Sequence, residues 1–186
     1  MNEETLSSGF FGEDITLDIY TDLKEFYTPA NGFSRLHLCR RYGKLHILKS
    51  LQPFYSSQEF YKQLLLKEFN IGYQLDHPNI RHTLGWEKND LLGNYIVLEY
   101  IDGIPLTTFI EQGKLTQALA YKFITEICNA LQYIHSKQLI HKDLKPNNIL
   151  ITHNGNNVKL IDFGLADCDD YEILKIPAGT EKYLAP

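Results

Sequence analysis

The chain has 186 residues, of which 44% are apolar and 22% charged. These values exclude a wholly disordered or collagen-like polymer, and the length allows a buried core without disulfide staples. The net charge of −5 at pH 7 argues against a general nucleic-acid binder, which needs a basic face.

Met1-Asn2-Glu3-Glu4 is acidic where a secretory signal would be basic and then apolar. Polar clusters continue to residue 22 and read as an N-terminal extension, although Ile15 to Tyr20 alternates like a short strand. From Phe26 to Leu51 the chain reads as strands, with Arg40-Arg41-Tyr42-Gly43-Lys44 as the turn between two alternating runs. Ser56-Ser57-Gln58-Glu59 has the form of a capping box. It predicts a helix of about 19 residues that stops before His77-Pro78. Phe60, Leu64, Glu68, Phe69 and Ile71 mark its face, and the Leu64-Leu65-Leu66 run reads as core. Strands are expected near Ile80–Trp86 and Tyr95–Tyr100. Thr116 to Ser136 is helical, with Leu119, Phe123, Ile127, Leu131 and Ile134 at spacings of three and four. Two short apolar runs, Ile149–Ile151 and Val158–Ile161, flank Asn154-Gly155, a hairpin signal. No apolar run reaches the ~18 residues of a membrane span. Cys39, Cys128 and Cys168 are odd in number and widely spaced, which suits free thiols in a reducing cytoplasm better than a disulfide framework or a zinc site.

The stretch richest in chemistry is His141-Lys142-Asp143-Leu144-Lys145-Pro146-Asn147-Asn148, followed further on by Asp162-Phe163-Gly164. Asp143 can accept a proton from an attacking hydroxyl. Asn148 and Asp162 carry oxygen ligands suited to Mg²⁺, and Lys145 can offset charge on a moving phosphoryl group. Phosphoryl transfer asks a protein for this set.

These residues resemble the catalytic core of eukaryotic-type serine/threonine protein kinases. His141-Lys142-Asp143 is similar to the His-Arg-Asp motif, Asn148 to its Asn, and Asp162-Phe163-Gly164 to Asp-Phe-Gly. The resemblance implies that Asp143 is the catalytic base, that Lys145 contacts the γ-phosphate, and that Asn148 and Asp162 hold Mg²⁺. It continues in order along the chain. Lys49 stands where the phosphate-holding Lys belongs and Glu68 where its partner belongs. Val97-Leu98-Glu99-Tyr100 resembles the hinge, so the backbones of Glu99 and Ile101 would bind adenine, with Leu36 and Ile47 against the nucleotide. Gly179-Thr180-Glu181-Lys182-Tyr183-Leu184-Ala185-Pro186 resembles the run before the Ala-Pro-Glu motif.

The resemblance implies an α+β bilobal fold that uses ATP and Mg²⁺ and acts on a protein substrate in the cytoplasm. The β-rich N-lobe with one long helix spans residues 23–98 and the hinge 99–103. An incomplete, mainly helical C-lobe spans 104–186. Two alternatives stand beside it: a catalytically impaired pseudokinase or fragment acting as a binding module, and a small-molecule phosphotransferase. Lys145-Pro146 and the closing run weigh against the latter.

The chain also departs from the family. The phosphate-covering glycines fall on Pro29, Asn31 and Ser34, leaving Gly32 as the flexible backbone there. Ile47 replaces the small residue expected above adenine. Gly72 stands where an apolar residue usually helps lock the long helix, which weakens it. Lys142 replaces the Arg that grips an activation-loop phosphate. A carboxylate among Asp167, Asp169, Asp170 and Glu172 is expected to pair with Lys142 instead, with Tyr171 and Thr180 as candidate regulatory sites. The sequence stops one residue before the expected Glu, so an exposed apolar C-lobe surface and self-association are expected.

Overall fold

The computed structural model describes residues 20–28 and 32–166. The order is β1 (Tyr20–Tyr27), β2 (Ser34–Arg41), β3 (Lys44–Leu51), α1 (Glu59–Tyr73), β4 (Thr83–Asn89), β5 (Gly93–Glu99), β6 (Gly103–Pro105), α2 (Leu106–Glu111), α3 (Gln117–Ser136), β7 (Ile149–Thr152) and β8 (Val158–Leu160). A short 3-10 turn, Pro146–Asn148, precedes β7. The architecture is α+β. A five-stranded antiparallel sheet, β1-β2-β3-β5-β4, carries α1, and a three-stranded sheet, β6-β7-β8, sits with α2 and α3.

The β2–β3 hairpin turns on Tyr42 and Gly43, both at positive φ (49° and 78°). That pair of left-handed residues matches the twist of the strands it joins. Leu36, Leu38, Ile47, Leu51, Ile96 and Leu98 pack together with Leu65 of α1. Cys39, Leu48, Tyr95 and Val97 form a second cluster. Strand β3 contributes to both clusters, so its burial runs nearly continuously rather than alternating.

The lower core gathers Phe109 of α2, Phe123, Ala130 and Ile134 of α3, and Ile149, Ile151, Val158 and Leu160 of β7 and β8. Ile71 of α1 and Leu75, just beyond its end, belong to this same core. The helix that carries Glu68 is therefore anchored in the lower lobe as well as against the upper sheet.

Several expectations need correction. Strand β1 begins at Tyr20, inside the expected extension. Tyr20 gains a partner there, since its hydroxyl donates to Glu87 Oε2 at 2.7 Å. The capping box is not used: α1 starts at Glu59 with Gln58 at its N-cap, while Ser56 Oγ donates to the Pro53 carbonyl at 2.7 Å. The helix has 15 residues, shorter than expected, because the 53–57 segment is spent on a turn. Leu66 is exposed, as is Phe60 at the start of the helix, while Leu64 and Leu65 are buried. Ile80 makes only an isolated parallel bridge to Leu160, and β4 starts at Thr83.

The lower helix and hairpin follow the sequence closely. Thr116 caps α3 by accepting from the Leu119 N–H at 3.2 Å. In the β7–β8 turn Gly155 and Asn156 take positive φ (81° and 47°). Lys122 Nζ reaches from α3 to the carbonyls of Gly155 and Asn156, both at 2.7 Å. Glu126 Oε2 accepts from the Val158 N–H at 2.6 Å. The polar side of α3 thus satisfies hairpin groups that would otherwise lack partners.

Candidate active site

Three charged side chains from distant parts of the chain meet between the sheets. Lys49 enters from β3, Glu68 from α1 and Asp162 from the segment after β8. Lys49 Nζ lies 2.7 Å from Glu68 Oε1 and 3.0 Å from Asp162 Oδ1. Lys49 and Glu68 are buried, so they face each other without much water to screen them. Burial opposes the charge on Lys49, but the Asp162 and Glu68 carboxylates outweigh it and hold its pKa above the ordinary value. Lys49 is the main reason Asp162 stays far below the usual carboxylate range. Burial pushes Glu68 upward against the pull of Lys49, so Asp162 is the more firmly ionised carboxylate.

Asp162 adopts a left-handed backbone, φ 66°, a conformation uncommon for a residue with a side chain. Its Oδ1 accepts from the Gly164 N–H at 3.3 Å. A Cβ on Gly164 would stand 3.1 Å from Glu68 Oε2 and 3.3 Å from Asp162 Oδ1. Glycine there lets the backbone pass directly beside both carboxylates. Glu68 Oε2 is buried and, among the described residues, has no hydrogen-bond partner.

The second group lies on one short loop. Lys145 Nζ is 2.7 Å from Asp143 Oδ2. Asn148 Nδ2 donates to the Asp143 carbonyl at 2.9 Å and to Asp143 Oδ2 at 2.8 Å. Both Asp143 and Asn148 are buried. The Asn148 carbonyl accepts from the Ile161 N–H at 3.0 Å, tying this loop to the residue before Asp162. His141, also buried, lies against Phe163 with ring centroids 4.9 Å apart. Burial chiefly lowers the His141 pKa, so its ring packs as a neutral group. The two groups are therefore joined through Ile161 and through a ring contact.

The remaining expected residues fall as follows. Ile47 is buried and pairs with Leu98, and Leu36 pairs with Lys49. The Glu99 N–H is committed to the His82 carbonyl at 3.0 Å. The Glu99 carboxylate accepts from the His82 N–H at 3.0 Å and from Lys159 Nζ at 3.2 Å. Ile101 is buried. The Gly32 carbonyl accepts from Gln52 Nε2 at 2.7 Å. Lys142 sits at φ 61°. Pro29, Asn31, Tyr171, Thr180 and the acidic residues 167–172 lie outside the described residues. A cavity of about 530 Å³ adjoins Glu99, Asp102, Glu126, Asn157 and Lys159, and neither charged group lines it.

Sequence reasoning missed three participants. Arg81 is held between the lobes, its N–H donating to the Leu160 carbonyl at 2.9 Å. Burial lowers its pKa, opposed by Asp162, Glu68 and Glu99. It therefore adds a second cation to the environment of these carboxylates. Thr107 of α2 donates to Asn147, fixing the loop beside Asp143. Thr83 of β4 sits directly against Gly72 of α1. Their sequence surroundings carry no periodicity that marks them.

The protein kinase domain profile matches residues 32–186. The chain is 40% identical over 130 residues to the serine/threonine-protein kinase RUNKEL of Arabidopsis thaliana, covering 67% of this chain and 9% of that protein. It is 37% identical over 122 residues to the serine/threonine-protein kinase PrkC of Bacillus subtilis, covering 64% and 18%. It is 33% identical over 176 residues to the cAMP-dependent protein kinase catalytic subunit 3 of Drosophila melanogaster, covering 91% and 29%. The chain spans less than a third of the length of each of these relatives.

Proposed function

We propose, from the premise that the chain belongs to the protein kinase family, that it catalyses transfer of the γ-phosphoryl group of ATP to Ser or Thr of a protein. The observation that carries this reading is the junction of two charged groups: Lys49–Glu68–Asp162 on one side and Asp143–Lys145–Asn148 on the other. Asp143 accepts the proton of the acceptor hydroxyl, and Lys145, already beside its carboxylate, faces the transferring group. Lys49, aligned by Glu68, holds the α- and β-phosphates. Leu36, Ile47 and the backbone of Gly32 enclose the nucleotide, and the backbones of Glu99 and Ile101 take the adenine.

The donor set fits Mg²⁺. Because the Asn148 amide nitrogen faces Asp143, its oxygen is turned away from that carboxylate. Asp162 adds a second, firmly ionised oxygen donor. Two protein oxygens are enough for Mg²⁺, which fills its remaining positions with water and phosphate oxygens. When bound it supplies positive charge to the phosphates. A cytoplasmic location and self-association complete the proposal. Lys142 would pair with a carboxylate of the 167–172 segment, and Tyr171 and Thr180 would be regulatory positions.

Thermal unfolding with and without Mg·ATP tests the reading. At about 100 times the dissociation constant, ligand adds about 2.7 kcal/mol of stability. The gain should vanish with EDTA and in Asp162→Asn. A cooperative melt that Mg·ATP leaves unmoved would overturn the nucleotide site.

A further inference from the structure

Gln52 lies between the last residue of β3 and Pro53. A residue before proline is biased toward extended backbone, and Gln52 carries the β2–β3 ladder one step past Leu51. Its N–H donates to the Phe33 carbonyl at 2.8 Å. Its side chain reaches the residue before: Nε2 donates to the Gly32 carbonyl at 2.7 Å. One residue thus holds two consecutive carbonyls. The Gln52 carbonyl in turn accepts from the N–H groups of Tyr55 and Ser56 at 2.9 and 3.1 Å, closing the turn that leads to α1. That turn sets Tyr55 against Tyr61 of α1, ring centroids 4.5 Å apart. The Tyr61 ring also meets Phe33, at 5.4 Å, and both pack on the cluster of Leu51 and Leu65. Gly32-Phe33 is therefore gripped by its backbone from Gln52 and by its side chain from Tyr61. Three residues on, Leu36 pairs with Lys49, so the grip lies on the same hairpin as the phosphate-holding lysine.

We propose that Gln52, together with Tyr61, is a positioning residue for the nucleotide phosphates. It fixes the Gly32–Phe33 backbone before the nucleotide arrives. Glycines have the most backbone freedom to lose, and a segment ordered only on binding weakens the affinity by the cost of that ordering. In this chain Pro29, Asn31 and Ser34 stand where the resemblance places glycines, and the adjoining Gly32-Phe33 is already held in the folded state. Gln52 acts through the two carbonyls it binds and needs no contact with the nucleotide. This inference rests on the nucleotide-binding reading above.

The test separates phosphate from adenosine. Gln52→Leu keeps the backbone bond to Phe33 and most of the side-chain bulk but deletes the Nε2 donor. Mg·ATP binding by calorimetry should weaken by about fivefold or more, while adenosine, which carries no phosphate, should bind as it does to the parent. Tyr61→Ala should weaken Mg·ATP in the same selective way, and Tyr61→Phe, which retains the ring, should rescue it. Without nucleotide, hydrogen exchange of the Phe33 and Ser34 amides should quicken in Gln52→Leu, with the amides of α3 at the parental rate. Parental Mg·ATP binding by Gln52→Leu would overturn the inference. So would unaltered exchange at Phe33 and Ser34, or an equal loss of Mg·ATP and adenosine, the mark of a merely structural role. A parent chain that binds neither ligand fails the function proposed above and this inference with it. A parent that binds both, with Gln52→Leu unchanged, fails this inference alone.

Discussion

At the scale of single residues, the arrangement is governed by one buried cation facing two carboxylates. Removing one partner of such a buried set leaves uncompensated charge, which costs more than the pair contributes. Lys49→Met should destabilise the chain by about 3–5 kcal/mol at neutral pH. The loss depends on pH. Burial already raises Glu68, and without Lys49 that rise should grow. A carboxyl whose folded pKa lies above its unfolded one regains stability as pH falls through the folded value. The melting gap between Lys49→Met and parent should therefore narrow from pH 7.5 to 5.5. A constant gap would mean that Glu68 is not the stranded charge. Asp143, Asn148, Asp162 and Lys49 were legible from the sequence because each lies in an ordered series of short motifs. Arg81 was not, since a lone arginine in a strand-like stretch gives no sign that it will lie near three carboxylates.

Among the elements, α1 and α3 make a useful contrast. Both are preceded by a hydroxyl residue able to cap, Ser56 before α1 and Thr116 before α3. Thr116 does so, and Thr116→Ala should cost about 1 kcal/mol in chemical denaturation. Ser56 is engaged by the Pro53 carbonyl three residues back, so Ser56→Ala should stay within about 0.5 kcal/mol. A larger loss at Ser56 than at Thr116 would contradict the observed caps. The sequence pattern Ser-x-x-Glu is the same whether the hydroxyl faces forward to a helix or back to a turn. What decided here was Pro53, whose turn competes for Ser56 before the helix begins. The α3 hairpin partner was easier, because Asn-Gly between apolar runs has few other uses. That Lys122 would bind the turn carbonyls depended on which face of α3 the core claimed.

For the whole molecule, the outer side of α3 is the notable surface. Tyr121 and Ile124 are 66% and 59% exposed, on a helix whose opposite side carries Phe123, Ala130 and Ile134 into the core. An exposed apolar face of this kind favours association. The chain should show concentration-dependent self-association by sedimentation, and Ile124→Asp should shift it to monomer without altering the Mg·ATP response. Equal sedimentation of parent and variant would place any contact elsewhere.

The sequence alone determined the α+β class, the order of the larger elements and the identity of most charged residues at the site, while β6 and α2 went unmarked. Those features repeat local rules: alternation, helical spacing, and short motifs whose residue types are few because the chemistry needs them. The tertiary structure decided the rest. Leu64 and Leu65 went inward while Leu66 went out, because α1 has only one face to give to the sheet and the lower core. Ser56 capped nothing. Gly72, which weakens an isolated helix, lies directly against Thr83, remote in sequence. Such outcomes depend on contacts between distant segments, and no local pattern encodes which distant partner will arrive.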